Sequence, residues 1–495
     1  MKFYEIDRAL QESVTAADKP VRLKIEIELD GYYQSVHDSN IIEANFYSLK
    51  EASRGVASRG DVLIDNQSGF LTSRAGYGSG SPVKVLFSIG EGLSYFQRFL
   101  FYIDEKGIQE IKRDGGKKFV QIGLRDLSYK LRKTDEARDW TSHAVFTYSV
   151  VSDKTKPEKS IVHGIAKRAG LAVNDIDCST IPVTLPYVRL RKNIWAELSS
   201  LAAAYRCHLE CAPEKPLVFA RSPYQNEPLI DNENSYSFTG SDIFYLRKTD
   251  KAELYRNTVR LKVNIPVSLE KQEIWRYDEP PVFYNDSMRP YYPFKYPLER
   301  EIETSKHEAK YRIIGADGKE RNVVFADEID SKEEAERRLE YDVGDFSYSR
   351  YDVTTNYDMA VLTLKKENDG NLFKAAIYGR PIILDINRSC FARDEAGIAL
   401  YGTVALNITG SYFSEDKING IQHYEDWVTR ELAERTQNRR EFTIKTHRGV
   451  FNSRVGAKVK IKLKNEILAG TIISLSYRYK RDKAFIAMFK IMEEL

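Results

Sequence analysis

The segments EKSIVHGIAKRAG at Glu158–Gly170 and NIWAELSSLAAAYRCHLECAPEKPLVFARS at Asn193–Ser222 decide the fold. In the first, apolar residues recur at helical spacing and stop at Gly170, a residue that readily ends a helix in the left-handed conformation. The second predicts a helix over 193–204, followed by two strands joined by a Pro-rich turn. A Pro-containing extended linker is expected at 181–186. Together they predict a compact helix, helix, hairpin unit, which is an architectural part and not an enzyme.

Strand patterns lie on both sides of this unit. VRLKIEIEL at Val21–Leu29 alternates apolar and charged residues, which is typical of a half-buried strand. YRNTVRLKVN at Tyr255–Asn264 alternates in the same way and opens a second β-rich region. Further strands are expected at Ile41–Leu49, Asp61–Asp65, Val83–Ile89, Tyr95–Asp104, Lys118–Leu124, Phe442–Thr446, Val455–Leu463, Leu468–Tyr479 and Ala484–Ile491.

These patterns predict a mainly β protein with an α/β insert. We expect a first β-barrel domain with an N-terminal extension over 1–150 and the helix, helix, hairpin insert over 151–235. A second β-rich region over 236–415, with an insertion at 266–414, follows. Residues 416–495 are predicted to form a helix and a small closing β-barrel.

Composition limits the functional classes. A chain of 495 residues is long enough for about two to four domains. With 75 Lys and Arg against 72 Asp and Glu, the formal net charge of +3 gives no global field of the kind that non-specific nucleic-acid binders carry. Four cysteines are too few for a disulfide framework, which favours folding in a reducing cytosol. Neither a secretory signal nor a membrane-spanning segment is expected.

No catalytic, cofactor-binding or metal-binding residues are predicted. Cys207 and Cys211, four apart on a strand, would place their thiols about 13 Å apart, too far for one tetrahedral metal ion. The glycine-rich AGYGSGSP at Ala75–Pro82 lacks the Lys and the Ser or Thr of a phosphate-binding loop. No GxSxG motif is present, so nucleophilic catalysis has no support in the sequence.

Two charged strand faces are candidate partner interfaces. Four lysines alternate with apolar residues near the C-terminus, and two positive and two negative charges alternate along the first strand. The candidates are Lys458, Lys460, Lys462, Lys464, Arg22, Lys24, Glu26 and Glu28. The lysines could meet an acidic surface or a phosphate backbone, or they could only keep an exposed strand from adding another strand.

In their order along the chain, four segments resemble the baseplate hub proteins of phage tails and tail-like particles. They are VQIGLRDLSYKL at Val120–Leu131, the insert from SIVHGIAKRAGL to LVFARS, YRNTVRLKVN at Tyr255–Asn264, and HYEDWVTRELAERTQNRR running into EFTIKTHRGVFNSRVGAKVKIKL. The resemblance covers about half of the chain. It does not extend over 266–414.

The resemblance implies a homotrimer in which two tube-like β-barrels per chain form a pseudo-sixfold ring. Such a ring would join the tail tube protein to the spike or tip protein and contact other baseplate proteins and the tape measure protein, with DNA only as cargo in the channel. The virion baseplate, assembled in the bacterial host cytoplasm, would be its location.

Two other functions compete with a structural hub. The Tyr277–Pro297 segment, rich in aromatic residues and proline, could form a sugar-binding platform in a tail-associated peptidoglycan hydrolase or glycan-binding protein. A cell-wall clearing assay and a glycan-binding assay would detect these activities. The lysine face could instead serve a nucleic-acid-binding module, which predicts binding that weakens steeply with salt.

Overall fold

The computed structural model describes most of the two ends of the chain and short pieces of the middle. The described residues are 21–51, 55–71, 78–89, 95–112, 118–133, 145–190, 193–213, 215–221, 236–268, 272–277, 287–288, 291–293, 313–314, 320–321, 339–342, 351–356, 359–365, 374–379, 382–414, 417–418, 420–436, 440–447, 453–464 and 466–493.

The first part of the chain is a run of antiparallel strands closed by a short helix. Its elements are β1 Val21–Leu29, β2 Tyr32–His37, β3 Ile41–Lys50, β4 Gly55–Asp65, β5 Pro82–Ile89, β6 Phe96–Lys112, β7 Lys118–Arg125 and α1 Leu127–Lys133.

The insert then follows, with β8 Val145–Ser152, α2 Ile161–Arg168, β9 Ile176–Cys178, β10 Ile181–Arg189, α3 Ile194–Ala204, β11 Cys207–Glu210 and β12 Leu217–Arg221. Its helices begin and end as the sequence predicts. The Ser160 and Asn193 side chains accept hydrogen bonds from the first turns of α2 and α3, and Gly170 follows α2 with a φ of +79°.

The rest of the chain holds β13 Tyr236–Thr239, β14 Tyr245–Asp250, β15 Thr258–Ser268, β16 Gln272–Tyr277, β17 Ser287–Met288, β18 Tyr291–Pro293, β19 Ile313–Ile314, β20 Glu320–Arg321, β21 Leu339–Asp342, β22 Tyr351–Asn356, β23 Met359–Lys365, β24 Lys374–Gly379, β25 Ile382–Arg393, α4 Glu395–Tyr401, β26 Ala405–Gly410, β27 Lys417–Ile418, β28 Ile421–Gln422, α5 His423–Arg435, β29 Arg440–Thr446, β30 Lys458–Lys462, β31 Ile467–Lys480 and β32 Ile486–Glu493. The mainly β fold with a helical insert is therefore confirmed.

One large sheet connects the two ends of the chain. Its strand order is β14-β29-β32-β31-β3-β4-β7-β6-β5-β1-β2, and β30 and β13 extend it from β31. The connection is made by β3 and β31, which pair antiparallel from Glu43 opposite Lys480 to Leu49 opposite Ser474. Strands from opposite ends of the sequence thus form neighbouring parts of one sheet.

The two parts of this sheet repeat one topology. In the first, β3, β4, β7, β6 and β5 are successive antiparallel neighbours. In the second, β14, β29, β32, β31 and β30 follow each other in the same way. A three-residue 3-10 helix precedes the first strand of each series, Asp38–Asn40 before β3 and Gly240–Asp242 before β14. We call residues 21–125 module 1, and residues 236–250 with 440–493 module 2.

Module 2 contains one major difference from module 1. Where a short connection joins β3 to β4, the whole stretch 251–439 separates β14 from β29. In the place next to β30 that β1 occupies next to β5, module 2 has β13, which pairs parallel with β30. β2 pairs antiparallel with β1, and β1 pairs antiparallel with β5, so β2 and β5 run in the same direction. β13 and β30 also run in the same direction, which agrees with the repeat.

A single apolar core lies under both modules. Phe46 on β3 stacks on Phe99 and Phe101, with ring centroids 5.6 and 6.0 Å apart. Tyr477, its partner across the seam, packs against Phe87 and Phe99 and is 1 % exposed. The seam between β3 and β31 is therefore fixed by close aromatic packing as well as by backbone hydrogen bonds.

A second core joins the insert to the segment inside module 2. It contains apolar residues of α1, α2, α3, β11, β12, β15 and α5. Trp427 of α5 donates from its indole nitrogen to the Ala203 carbonyl oxygen at the end of α3, at 3.0 Å. The insert also pairs with module 1, because β11 runs parallel to the start of β4.

Two sequence-based expectations differ from the strands that the structure shows. Residues 181–186, expected as a linker, lie in β10, a strand that pairs with β8 only, so Pro182 and Pro186 need no partner on its other side. A capping-box pattern at Ser331 and Glu334 suggests a helix through Tyr341, but Leu339–Asp342 forms β21. The residues before β21, 322–338, lie outside the described residues.

The predicted domain boundaries stay a prediction. The boundary between residues 415 and 416 lies between strands that pair in the structure, because β14 pairs with β29 and β13 pairs with β30. Meanwhile β15 forms a separate three-stranded sheet with β25 and β26. The alternating pattern at Tyr255–Asn264 thus belongs to the stretch that separates β14 from β29.

We expect Phe46→Ala to lower the free energy of unfolding by about 3–5 kcal/mol, because the substitution leaves a cavity under the seam. Chemical denaturation followed by circular dichroism measures the loss. Tyr47→Ala is the matched control, since Tyr47 follows Phe46 on β3 and faces away from the core. An equal loss in both variants would contradict this account of the seam.

Candidate functional site

The face of the large sheet opposite its core is polar. Side chains alternate along each strand, so the residues between the buried ones point to this face. A groove of about 570 Å³ lies on it, over β31, β3, β4, β7 and β6. Its lining residues are Asn45, Phe46, Tyr47, Arg59, Gly60, Asp61, Asp104, Lys106, Gln109, Gln121, Gly123, Arg125, Ser476, Tyr477 and Arg478. Both modules therefore contribute to one polar surface.

Charges of both signs are interleaved on this polar face. Asn45 donates from Nδ2 to Asp61 Oδ2 at 3.0 Å, between neighbouring strands of module 1. Arg478 of module 2 donates from Nη2 to Glu43 Oε1 of module 1 at 3.0 Å, so an ion pair crosses the seam. The pair is partly exposed and contributes little stability. Mixed charges keep the surface hydrated, and they do not strongly attract either positively or negatively charged ligands.

Gly123 shapes the groove. A Cβ at this position would clash with Asp104 Oδ2, so any side chain on Gly123 would displace the Asp104 carboxylate. The glycine therefore lets Asp104 lie flat on the neighbouring strand β7.

A buried network of charges joins both modules to the insert. Glu210 of β11 lies 3.2 Å from His208 Nε2 and accepts a hydrogen bond from Arg454 Nη1 at 3.2 Å. Arg98 of β6 donates to the Ser453 carbonyl oxygen at 2.7 Å. Burial on its own would raise the pKa of Glu210, but His208, Arg454 and Arg98 together lower it to about 2. Glu210 is therefore held as a carboxylate where the three parts of the chain meet.

Asp126 is a second buried carboxylate close to this junction. It accepts hydrogen bonds from the backbone nitrogens of Ser58 and Ser128 and from the Ser128 hydroxyl. Burial raises the pKa of Asp126 to about 6 despite these hydrogen bonds, which lower it. The carboxyl fixes the start of α1 against β4, so it has a structural role.

One cysteine and histidine pair lies close together among the described residues. Among the described residues, no cluster of three or more His, Cys, Asp or Glu side chains could hold a metal ion. Cys178 Sγ lies 3.9 Å from His163 Nε2, but burial raises the pKa of the thiol and lowers the pKa of the imidazole. Both changes oppose a thiolate and imidazolium pair.

The residues predicted as partner interfaces lie on β1 and β30, two strands with a paired strand at each edge, except Lys464, which follows the end of β30. β1 pairs with β2 and β5, and its Lys24 Nζ is 2.6 Å from Glu26 Oε1 on the same face. β30 pairs with β13 and β31, and its lysines alternate with the buried Val459 and Ile461. The structure does not bring the two sets into one site. A partner role for Arg22, Glu28, Lys458, Lys460, Lys462 and Lys464 stays a prediction, as it does for Lys24 and Glu26.

The polar groove and the junction network around Glu210 have no distinctive sequence pattern. Alternation along β3 and β4 could have assigned Asn45, Tyr47, Arg59 and Asp61 to one face, but not to one groove with Arg478. The side chains of Tyr277–Pro297, the proposed sugar platform, lie outside the described residues. In the part of the chain that the structure describes, no helix is both long and apolar enough to cross a membrane.

The two carboxylates predict opposite responses of stability to pH. Asp126 has a folded pKa of about 6, above its ordinary 3.8, so its favourable contribution is complete below pH 3.8 and is lost as the pH rises through 6. Relative to Asp126→Asn, the wild type should lose about 3 kcal/mol of unfolding free energy between pH 3.8 and 7. Chemical denaturation at several pH values measures this difference.

Glu210→Gln serves as the contrast. Glu210 has a folded pKa of about 2, below its ordinary 4.5, so its contribution is present above pH 4.5 and is lost as the pH falls through 2. As the pH falls from 4.5 towards 2, the stability difference between wild type and Glu210→Gln should shrink. A difference that grows in that range, or a flat difference for Asp126→Asn between pH 3.8 and 7, would contradict these assignments.

The similar proteins that comparison finds are solved structures. A scan against protein-family models finds no match, and a search of curated proteins finds no similar sequence. A tail protein from Neisseria meningitidis MC58 aligns with a TM-score of 0.48 and 9 % identity, covering 95 % of this chain and 96 % of that chain. The 43 kDa tail protein of prophage MuSo2 from Shewanella oneidensis gives 0.48 and 10 %, covering 95 % and 98 %. The E. coli c3393 protein, a type VI secretion system component described as similar in structure to T4 bacteriophage tail proteins gp27 and gp5, gives 0.37 and 8 %, covering 97 % and 76 %.

Proposed function

We propose that this chain is a structural, non-enzymatic baseplate hub of a phage tail or tail-like particle. Three copies close into a ring around a passage and join the tail tube to the tip or spike. The observation that carries the proposal is the internal repeat, because two modules of one topology lie edge to edge in one sheet. The resemblance of four sequence segments to baseplate hubs supports the same function.

The seam between the modules is a contact of the kind that builds rings. It joins β3, the first strand of the repeat in module 1, to β31, which corresponds to β6 and not to β3. Such a contact is heterologous, because the two modules contribute different types of edge to it. Repetition of a heterologous contact gives a closed ring or an open filament. Two modules in each of three copies would make a ring of six.

The polar face lines the passage of that ring. Both modules present this face on the same side of the continuous sheet, and the groove spans the seam. Interleaved Arg, Lys, Asp and Glu side chains keep the surface hydrated, so a passing polyanion finds no apolar patch and no strongly basic surface to hold it. We infer that DNA crosses this face as cargo and is not bound there.

Different connections leave the two ends of the strands that carry the polar face. This asymmetry suits a protein that joins two unlike partners. Both long connections leave from one end: the insert begins after Arg125, and the stretch 251–439 lies between Asp250 and Arg440. At the other end, β6 ends and β7 begins, and residues 481–485 join β31 to β32. We propose that one end meets the tail tube and the other meets the tip, spike and remaining baseplate proteins.

We expect the purified full-length chain to form trimers with a central opening, alone or with its tail tube partner. Light scattering over a concentration series measures the mass, and electron microscopy shows the opening. Phage or tail-like particles labelled with an antibody against the insert should show the label at the end of the tail. A chain that stays monomeric at every concentration and with its partner present would refute the ring.

A further inference from the structure

The two modules carry the same short element at the same end of the large sheet. The 3-10 helix Asp38–Asn40 precedes β3, whose first residues lie beside the end of β31. The 3-10 helix Gly240–Asp242 precedes β14, whose first residues lie beside the end of β29, and the end of β29 lies beside the start of β32. Because residues 481–485 join β31 to β32, both 3-10 helices lie at the end of the sheet where this connection is. We call it the 3-10 end.

Both 3-10 helices are exposed and held in place. Their middle residues, Ser39 and Ser241, are exposed. Arg481, in the connection between β31 and β32, donates from Nη1 to the Ser39 carbonyl oxygen at 2.8 Å, so module 2 supports the 3-10 helix of module 1. In module 2, Asp242 Oδ2 accepts a hydrogen bond from the Thr239 backbone nitrogen at 2.8 Å. The 3-10 end therefore presents one ordered polar element from each module.

The opposite end of the sheet carries two unlike attachments. On module 1 it carries the insert, whose β11 pairs with the start of β4. The insert consists of two helices with the strand pairs β8–β10 and β11–β12. On module 2 the opposite end carries the stretch 251–439, which contains the three-stranded sheet β25-β15-β26 and the helices α4 and α5. The internal repeat is therefore visible at the 3-10 end and is masked by different structures at the opposite end.

This difference would give the two ends of a three-copy ring different symmetries. At the 3-10 end, each of the six modules would contribute one 3-10 helix, which makes six similar positions. At the opposite end, three inserts would alternate with three copies of the stretch 251–439, so only threefold symmetry remains. Identical subunits arranged in a ring each need the same contact with their partner. A partner with six identical subunits can therefore find six similar contacts at the 3-10 end only.

We propose that the 3-10 end is the surface that meets the tail tube, a stack of rings of six identical subunits, and that the opposite end faces the threefold tip or spike. The inference rests on the proposed ring and adds to it which end of the chain meets which partner. The 3-10 end also offers an apolar contact. Phe244, between the 3-10 helix and β14, is 51 % exposed and stacks on His447 with ring centroids 4.3 Å apart. Aromatic residues are enriched in the surfaces that protein partners cover.

Bulky labels test which end binds the tube. The full-length chain with Ser39→Cys or with Ser241→Cys is coupled to a polyethylene glycol maleimide and mixed with purified tail tube protein. Electron microscopy then counts the rings that carry a tube. We expect either label to abolish tube attachment, because it covers three of the six similar positions. Lys154→Cys in the insert and Leu400→Cys on α4 are the matched controls at exposed positions, and their labels should leave attachment unchanged. All four variants should attach tubes before they are labelled.

The labelled wild type accounts for the native Cys211 and Cys390, which are partly exposed, and it should attach tubes as the unlabelled chain does. Loss of attachment with the labels at 154 or 400, but not with those at 39 and 241, would overturn this assignment of the ends and leave the ring intact. Loss with only one of the labels at 39 and 241 would also overturn it, since the tube would then not contact both modules alike. No effect of any label would overturn it as well. If the unlabelled chain attaches no tube protein, the proposed function itself fails, and the assignment of the ends fails with it.

Discussion

The antiparallel pairing of β3 with β31 is the contact on which the rest of the structure depends. It joins residues 43–49 to residues 474–480, from opposite ends of the sequence, and makes two modules into one sheet. Beneath it, Phe46 and Tyr477 belong to a shared aromatic core. Above it, Glu43 and Arg478 continue a polar face from one module to the next. Without this pairing neither the groove nor the edge-to-edge repeat would exist.

The insert is attached where it cannot disturb the polar face. It leaves module 1 after β7, returns through β11 to the start of β4, and is held there by the ionised Glu210 between His208 and Arg454. A buried ion network is weak evidence for stability, but it is demanding in geometry, because removing one partner leaves another charge unpaired. The network therefore specifies where the insert and both modules meet, which matters more for a part of an assembly than for an isolated domain.

Local patterns in the sequence were sufficient for individual elements. Alternation at Val21–Leu29 predicted β1, and helical spacing ending at Gly170 predicted α2. Polar capping by Asn193 agrees with the predicted start of α3. The signals are local because side-chain periodicity and caps depend on residues a few positions apart.

The assignment of strands to modules needed information that local patterns do not carry. β14 has few apolar residues, and its partner β29 follows only after the stretch 251–439, so no short-range signal connects them. The lysines of β30 were a candidate interface because they alternate with apolar residues, yet β30 has a paired strand at each edge. Groove residues such as Asn45 and Asp61 are ordinary in sequence and gain significance only when the strands that carry them become neighbours.

The seam and the outer strand β14 differ in chemistry. The seam is apolar on its core side, with Ala44 opposite Tyr479 and Phe46 opposite Tyr477, and it forms as the chain folds. β14, which pairs with β29 alone among the described strands, instead carries the charged Lys248 and Asp250. Charged side chains on an outer strand discourage indiscriminate strand addition. Apolar packing therefore makes the seam as the chain folds, whereas the charges on β14 restrict which strands can add to it.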